Sequence, residues 1–143
     1  MRILTVRQPW AWAIMHGGKD VENRGRNIAG SYRGPIAIHA GLTAVDHGDA
    51  LWDVERFRSA IKGSNAASLR AMDVRGGIIG VVDLVDVHRG HWSESCSPWA
   101  EDDAHHLVLR NPRPLADPIP YRGALGLRPL DDATTAAVLE SIT

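Results

Sequence analysis

Arg7-Gln8-Pro9-Trp10-Ala11-Trp12-Ala13-Ile14-Met15-His16-Gly17-Gly18-Lys19-Asp20-Val21-Glu22-Asn23-Arg24 compresses a helix start, a short apolar helix, a glycine stop and a charged strand into one run. Pro9 suits the first helical turn, because the N–H it lacks would find no intrahelical partner there. Trp10, Ala13 and Ile14, with Met15 at the edge, supply a buried stripe at helical spacing, and Gly17 is placed to close the helix in a left-handed cap. After the glycines, strand alternation puts Val21 on one face and Asp20, Glu22 and Arg24 on the other. Lys19 sits at the strand's start.

Lys19, Glu22 and Arg24 are thus charges on a segment with apolar neighbours. Such charge is tolerated when other charges or a polar ligand compensate its desolvation. Two readings follow. In the first, Glu22 and Arg24 pair with each other or with Arg7 and tie the helix to the sheet. In the second, they join Arg7 and Lys19 around a pocket walled by Trp10 or Trp12. An arginine fork beside a carboxylate matches a base edge or a phosphate. Arg7 also precedes a helix start, whose free N–H groups attract anions. A pocket of both charge signs with an aromatic wall suits a nucleobase carrying a phosphate.

Outward from this run, Arg2 to Val6 alternates as a first strand, and Pro35 to Ala40 reads as a buried strand. Ala44 to Ile61 carries helical spacing through Val45, Leu51, Trp52, Val54, Phe57 and Ile61, and Gly63 to Asp73 is a weakly patterned connection. Gly77 to Val87 is a β-branched strand. His88 to Asp103 reads as a surface insertion carrying Trp92, Cys96 and Trp99. His106 to Arg110 and Leu125 to Leu130 are further strands, separated by the proline-rich crossing from Asn111 to Tyr121. Asp131 or Asp132 caps a last helix ending near Ile142. Several short strands with few helices between them predict a small β-barrel with flanking helices, of class α+β.

The totals agree with one domain over residues 1–143. At 44% hydrophobic and 23% charged, a chain of 143 residues can bury a core without metals or disulfides. No apolar run is long enough to span a bilayer, and no signal peptide is evident. A single cysteine, Cys96, precludes an internal disulfide and suits a reducing cytoplasm. The net charge of −1 gives no global attraction to nucleic acid, so an RNA partner needs a local basic surface. Arg26 and Arg33, with Tyr32, offer one in the loop after Arg24. His39, ending a strand on the cleft side, has a buried structural role or a contact to a base. His88, His91, Cys96, His105 and His106 match no standard zinc spacing, so neither metal nor cofactor is expected. Asp83 and Asp86 fall on opposite faces of a regular strand, as solvated positions.

Leu4-Thr5-Val6-Arg7-Gln8-Pro9-Trp10-Ala11, Gly17-Gly18-Lys19-Asp20-Val21-Glu22-Asn23-Arg24 and Gly34-Pro35-Ile36-Ala37-Ile38-His39-Ala40 closely resemble the ASCH domain. Gly76 to Asp83 resembles its central strand, and Asn111-Pro112-Arg113 with Pro118-Ile119-Pro120 and Gly123 resembles the ending of its close relatives. The resemblance implies a PUA-like β-barrel with a cleft between barrel and first helix, in a family of RNA-binding or RNA-processing modules. One bacterial branch resembles an amidohydrolase that deacetylates N4-acetylcytidine with a lysine, a threonine and a glutamate; another is associated with ribonuclease activity. The lysine falls on Lys19, but the threonine falls on Glu22, a poor acyl acceptor that can at best activate a water. The expectation is a cytoplasmic RNA- or modified-nucleoside-binding domain, with Arg7, Trp10, Arg24, Arg26, Arg33 and His39 as ligand contacts. Lys19 and Glu22 are the candidates for any catalysis. The alternatives are a hydrolase acting on RNA or nucleosides, and a regulatory module that binds protein through the Trp92–Trp99 insertion.

Overall fold

The computed structural model describes residues 1–45, 54–90 and 96–142. Its elements run β1 (Arg2–Val6), α1 (Trp10–His16), β2 (Val21–Arg24), β3 (Gly34–Ala40), α2 (Val54–Lys62), α3 (Ala66–Arg70), β4 (Gly77–Arg89), β5 (His105–Pro120), β6 (Leu127–Pro129) and α4 (Asp132–Ser141). The strands form one six-stranded sheet in the order β2-β5-β4-β3-β1-β6. Only the β1–β3 pair is parallel, because α1 and β2 intervene as the crossover. The sheet curls into a half-barrel. Trp52, Leu51, His91 and Trp92 fall outside the described residues.

Both faces of the sheet's centre are covered, so β3 is buried continuously from Ile36 to Ala40 rather than alternately. Leu4, Ile36, Ile38, Val82, Leu84, Leu107 and Leu109 pack with Ile14 and Met15 of α1 in the main core. On the other face Ile3, Ala37, Ile78 and Val81 meet Val138 of α4. The Asp131 carboxylate caps α4 by accepting from the Thr134 N–H and hydroxyl, which holds its carboxyl below the ordinary range.

α1 is more deeply placed than a one-sided stripe predicts. Ala11, Trp12, Ala13, Ile14 and Met15 are all buried, whereas Trp10 is only half-buried. The reason is a second layer: Trp12 and Ala13 pack against Phe57 and Ile61 of α2 and Leu69 of α3. The Trp12 indole N–H, which would otherwise be a buried orphan, donates to the Ser68 carbonyl at 2.8 Å. Gly17 closes α1 with a negative φ of −103°, and the left-handed residue is Gly18, at φ 75°. Gly17 is a glycine for lack of space instead, since a Cβ there would stand 3.0 Å from the Ala13 backbone.

The proline-rich crossing is a strand. β5 continues to Pro120 and pairs with β4 through Arg113, Pro114, Ile119 and Pro120. β2 covers the opposite edge of β5 only from His105 to Val108, so beyond it the prolines cost no strand–strand hydrogen bond on that side. The β4–β5 register shifts at three places. Between Leu84 and Asp86 the extra residue is Val85, on β4; between Arg110 and Arg113 the extra residue lies on β5, where Asn111 takes φ 55°. The Val85 bulge overturns one sequence expectation: it restores Asp83 and Asp86 to the same face. Neither is a bare solvated acid, for Asp83 pairs with Arg113 at 2.6 Å and Asp86 with His88 at 2.8 Å. Among the described residues, no helix is long and apolar enough to cross a membrane.

Gly80 lies where β4 faces both α1 and β5, and a Cβ there would meet Met15 Sδ at 2.1 Å and the Arg113 carbonyl at 2.8 Å. Gly80→Ala is expected to cost about 1–3 kcal/mol by overpacking. Gly25→Ala, where nothing lies within 4 Å of the added methyl, is expected to stay within about 0.5 kcal/mol of the parent. Urea unfolding of the two variants checks the contrast.

Candidate functional site

β2 is four residues long, yet it brings the most charge into the interior of the curl. Its antiparallel register sets Glu22 opposite Leu107, so the carboxylate faces inward beside a fully buried leucine. Glu22 Oε1 lies 3.3 Å from Arg24 Nε and Glu22 Oε2 3.7 Å from Lys19 Nζ. Lys19 is 6% exposed and donates to the Val21 carbonyl. Its ammonium stands 5.8 Å from the Trp10 ring centroid and 5.9 Å from that of Trp99. Two indole faces and one carboxylate thus replace the water that the cation gives up. Arg24 reaches across the open side of the curl, where its guanidinium donates to the Thr5 carbonyl at 3.1 Å and links β2 to β1.

This cluster borders a cavity of about 380 Å³ rather than being sealed. One wall is Thr5, Arg7 and Trp10; another is Glu22, Asn23 and Arg24; Ala124, Leu125 and Gly126 form the rim. Arg7 is exposed and its guanidinium has no side-chain partner among the described residues. Leu125, 86% exposed, presents an apolar surface at the mouth. The arrangement offers a fixed carboxylate that can accept N–H groups, a cation with no counter-charge among the described residues, and an aromatic side wall.

The structure thus gathers Arg7, Trp10, Glu22 and Arg24 around one opening and sets Lys19 behind Glu22. Asp20 leaves the group: it precedes β2 and turns the other way, accepting from the Ser97 hydroxyl and lying 3.7 Å from Arg110. Arg33 and Arg26 are exposed and do not line the cavity, and Arg33 donates to the Gly30 and Tyr32 carbonyls of its own turn. His39 is 1% exposed and lies one layer back, with Nδ1 3.2 Å from the Thr5 hydroxyl and Nε2 2.7 Å from the Tyr121 carbonyl. Because Nε2 must donate to that carbonyl, Nδ1 of the neutral ring accepts from Thr5.

The helix start is no anion site. Trp10 and Ala11 N–H groups donate to the Arg7 carbonyl, Trp12 N–H to Gln8 Oε1 at 3.0 Å and Ala13 N–H to the Pro9 carbonyl. Gln8, itself 1% exposed, also donates to the carbonyls of Ala71 and Val74, tying α1 to the turn at Ala71–Asp73. Its role is structural. Trp99 is buried with Trp12 and Val21, and so pins its segment instead of lying over the cavity. Asn23 holds that segment in place, donating to the Trp99 carbonyl and accepting from the Glu101 N–H. Thr5, Asn23 and the rim at Ala124–Gly126 escaped the sequence reading. Thr5 shares the strand-alternation face of Arg7, a signal that was present; the rim had none.

The family model of the ASCH domain matches residues 4–119. Among solved structures, the chain is similar to a tyrosine-to-phenylalanine mutant of ZmASCH from Zymomonas mobilis, with 18% identity, a TM-score of 0.58, and 99% of this chain and 98% of that one covered. A serine-to-alanine mutant of the same protein matches at 17% identity and TM-score 0.55, covering 99% of this chain and 96% of that one. The structure of ASCH from Zymomonas mobilis matches at 16% identity and TM-score 0.55, covering 99% and 95%. At these identities the likeness is one of fold, a curled six-stranded sheet with flanking helices of class α+β.

Glu22→Gln keeps the shape of the side chain but leaves the sheltered Lys19 ammonium without a counter-charge. A stability loss of about 1–3 kcal/mol is expected, seen as a lower urea midpoint at unchanged slope. Adding Lys19→Met, which removes the stranded cation, should recover part of it. Equal midpoints for parent and Glu22→Gln would show that the carboxylate contributes nothing net.

Proposed function

Because this chain belongs to the ASCH domain family, whose members generally bind RNA, we propose that it holds one nucleotide of a single-stranded RNA, or a modified nucleoside, in the cavity between β1, α1 and β2. The observation that carries this reading is the placement of a fixed inward carboxylate, Glu22, and the exposed Arg7 guanidinium, unpaired among the described residues, on one cavity of about 380 Å³. Glu22 accepts from an amino or imino group on the base edge, held in position by Lys19 and Arg24. Arg7 meets the phosphate. Trp10 gives an apolar wall, and Leu125 at the mouth covers the base. The net charge of −1 makes this a contact of short reach, selecting one nucleotide rather than tracking a long backbone. Arg26 lies two residues beyond Arg24 and serves an adjoining phosphate.

Intrinsic tryptophan fluorescence tests this with cytidine monophosphate, N4-acetylcytidine and an octameric single-stranded RNA. Arg7→Ala should weaken RNA binding and lower the salt slope by about one, with little effect on the nucleoside. Glu22→Gln should weaken both by roughly 10–100-fold, the value of a charge-assisted hydrogen bond. Unchanged affinity in both variants would remove the cavity from the account.

A hydrolytic reading draws on a different observation. Thr5 borders the cavity and gives its hydroxyl hydrogen to His39 Nδ1, while His39 Nε2 is held by the Tyr121 carbonyl. That is the order of nucleophile, base and orienting group. Thr5 Oγ would add to an amide carbonyl as its proton passes to Nδ1; the departing amine would take that proton, and water would then release the acyl group. Glu22, on the same cavity, is the carboxylate available to activate the water. Chromatography of N4-acetylcytidine incubated with the protein should then show cytidine and acetate, with Thr5→Val lowering turnover by at least about 100-fold. No product at high protein concentration would leave only the binding reading.

A further inference from the structure

Away from the cavity, on the outer face of β4 and β5, three side chains that the sequence separates by eight and ten positions come together. His88 and His106 are register partners across the β4–β5 ladder, with ring centroids 5.3 Å apart. Cys96, on the segment that leads to Trp99, places its Sγ 3.7 Å from His106 Nδ1. One ring nitrogen from each histidine and the Cys96 sulfur all lie within 4.8 Å of one another.

We propose that His88, Cys96 and His106 form a binding site for a borderline-soft divalent ion of the Zn²⁺ class. With bonds of about 2.3 Å to sulfur and 2.0–2.1 Å to nitrogen, two ligands of one tetrahedral zinc stand about 3.6 Å apart. The Cys96–His106 separation of 3.7 Å is already that edge. The remaining edges, at most 4.8 Å, close by small side-chain rotations at His88 and the exposed Cys96.

The surroundings of both imidazoles favour ligation. His106 Nε2 donates to the Glu101 carbonyl at 2.5 Å, which leaves Nδ1 as its lone pair, toward the sulfur. His88 Nδ1 donates to the Asp86 carboxylate at 2.8 Å, which leaves Nε2 as its lone pair. A carbonyl or carboxylate behind each ligating histidine is the outer support that fixes its tautomer and raises its basicity. Cys96 gives up its thiol proton to bulk solvent when the metal binds. The neutral histidines and one thiolate leave the bound ion with a net positive charge, and Asp86 adds a nearby negative one. Three protein ligands leave a fourth position for water.

The metal would fasten the segment 96–104 to the sheet. That segment carries Trp99, whose ring meets Trp10 edge-on at 6.4 Å, and Trp10 lines the cavity. The inference is independent of what the cavity binds.

Cobalt is the probe. Chelator-treated protein titrated with Co²⁺ should develop a near-ultraviolet thiolate-to-metal band and visible bands of tetrahedral intensity, saturating at one equivalent and displaced by Zn²⁺. Cys96→Ser should abolish the near-ultraviolet band, and both Cys96→Ser and His88→Ala should weaken Zn²⁺ binding at least about tenfold. Both positions are at least partly exposed, so circular dichroism of the metal-free variants should match the parent. A parent protein without the band, or Zn²⁺ affinity unchanged in both variants, overturns the site and leaves a thiol–imidazole contact only.

Discussion

The carboxylate of Glu22, fixed between Lys19 and Arg24 inside the curl of the sheet, is the interaction on which the rest of the arrangement hangs. An isolated charge there would be several kcal/mol too costly, and two cations with no anion would be worse. Together the three offset one another's charge, with Glu22 3.3 Å from Arg24 and 3.7 Å from Lys19, and the two cations each do a second task. Lys19 fills the gap between two indoles; Arg24 reaches the Thr5 carbonyl and draws β2 toward β1. That reach is made by a side chain, since β1 is already paired with β3 and β6, and the cavity lies beside it.

α1 acts as the keystone of the same region. Ridged on one side against the sheet and on the other against α2 and α3, it has no solvent face through its middle. Gln8 spends both side-chain N–H donors and its Oε1 on backbone groups of α1 and of the turn before β4. The geometry of Arg7 and Trp10 is therefore inherited from a buried framework, the condition under which a pocket can be selective without rearranging.

Much of this was legible in the residues. The glycine stop after α1, the short charged strand from Val21 to Arg24 and the β-branched run of β4 each set a local element that tertiary packing did not override. Gly17 was read correctly as an endpoint for the wrong reason: crowding against Ala13, not handedness, demands it. The prolines between Asn111 and Pro120 misled, because proline excludes a strand only where its missing N–H is needed, and among the described residues one edge of β5 there has no strand beside it. The Val85 bulge was invisible too. One inserted residue reverses the facing of everything after it, so Asp83 joins Asp86, and His88 comes to oppose His106.

The sequence by itself determined most of the local elements, the family resemblance, and the presence of charge where the chain would be buried, since each follows from periodicity or from residues adjacent in order. Which charge meets which partner was decided only in three dimensions. Asp20 and Glu22 differ by two positions, yet one caps the Trp99 segment and the other enters the curl, because β2 begins between them. His88, Cys96 and His106 share no motif, and they converge through a bulge and a strand register that depend on the whole sheet. Local preference acts over a few residues; the meeting of distant side chains depends on how the layers pack, and that is a property of the folded chain alone.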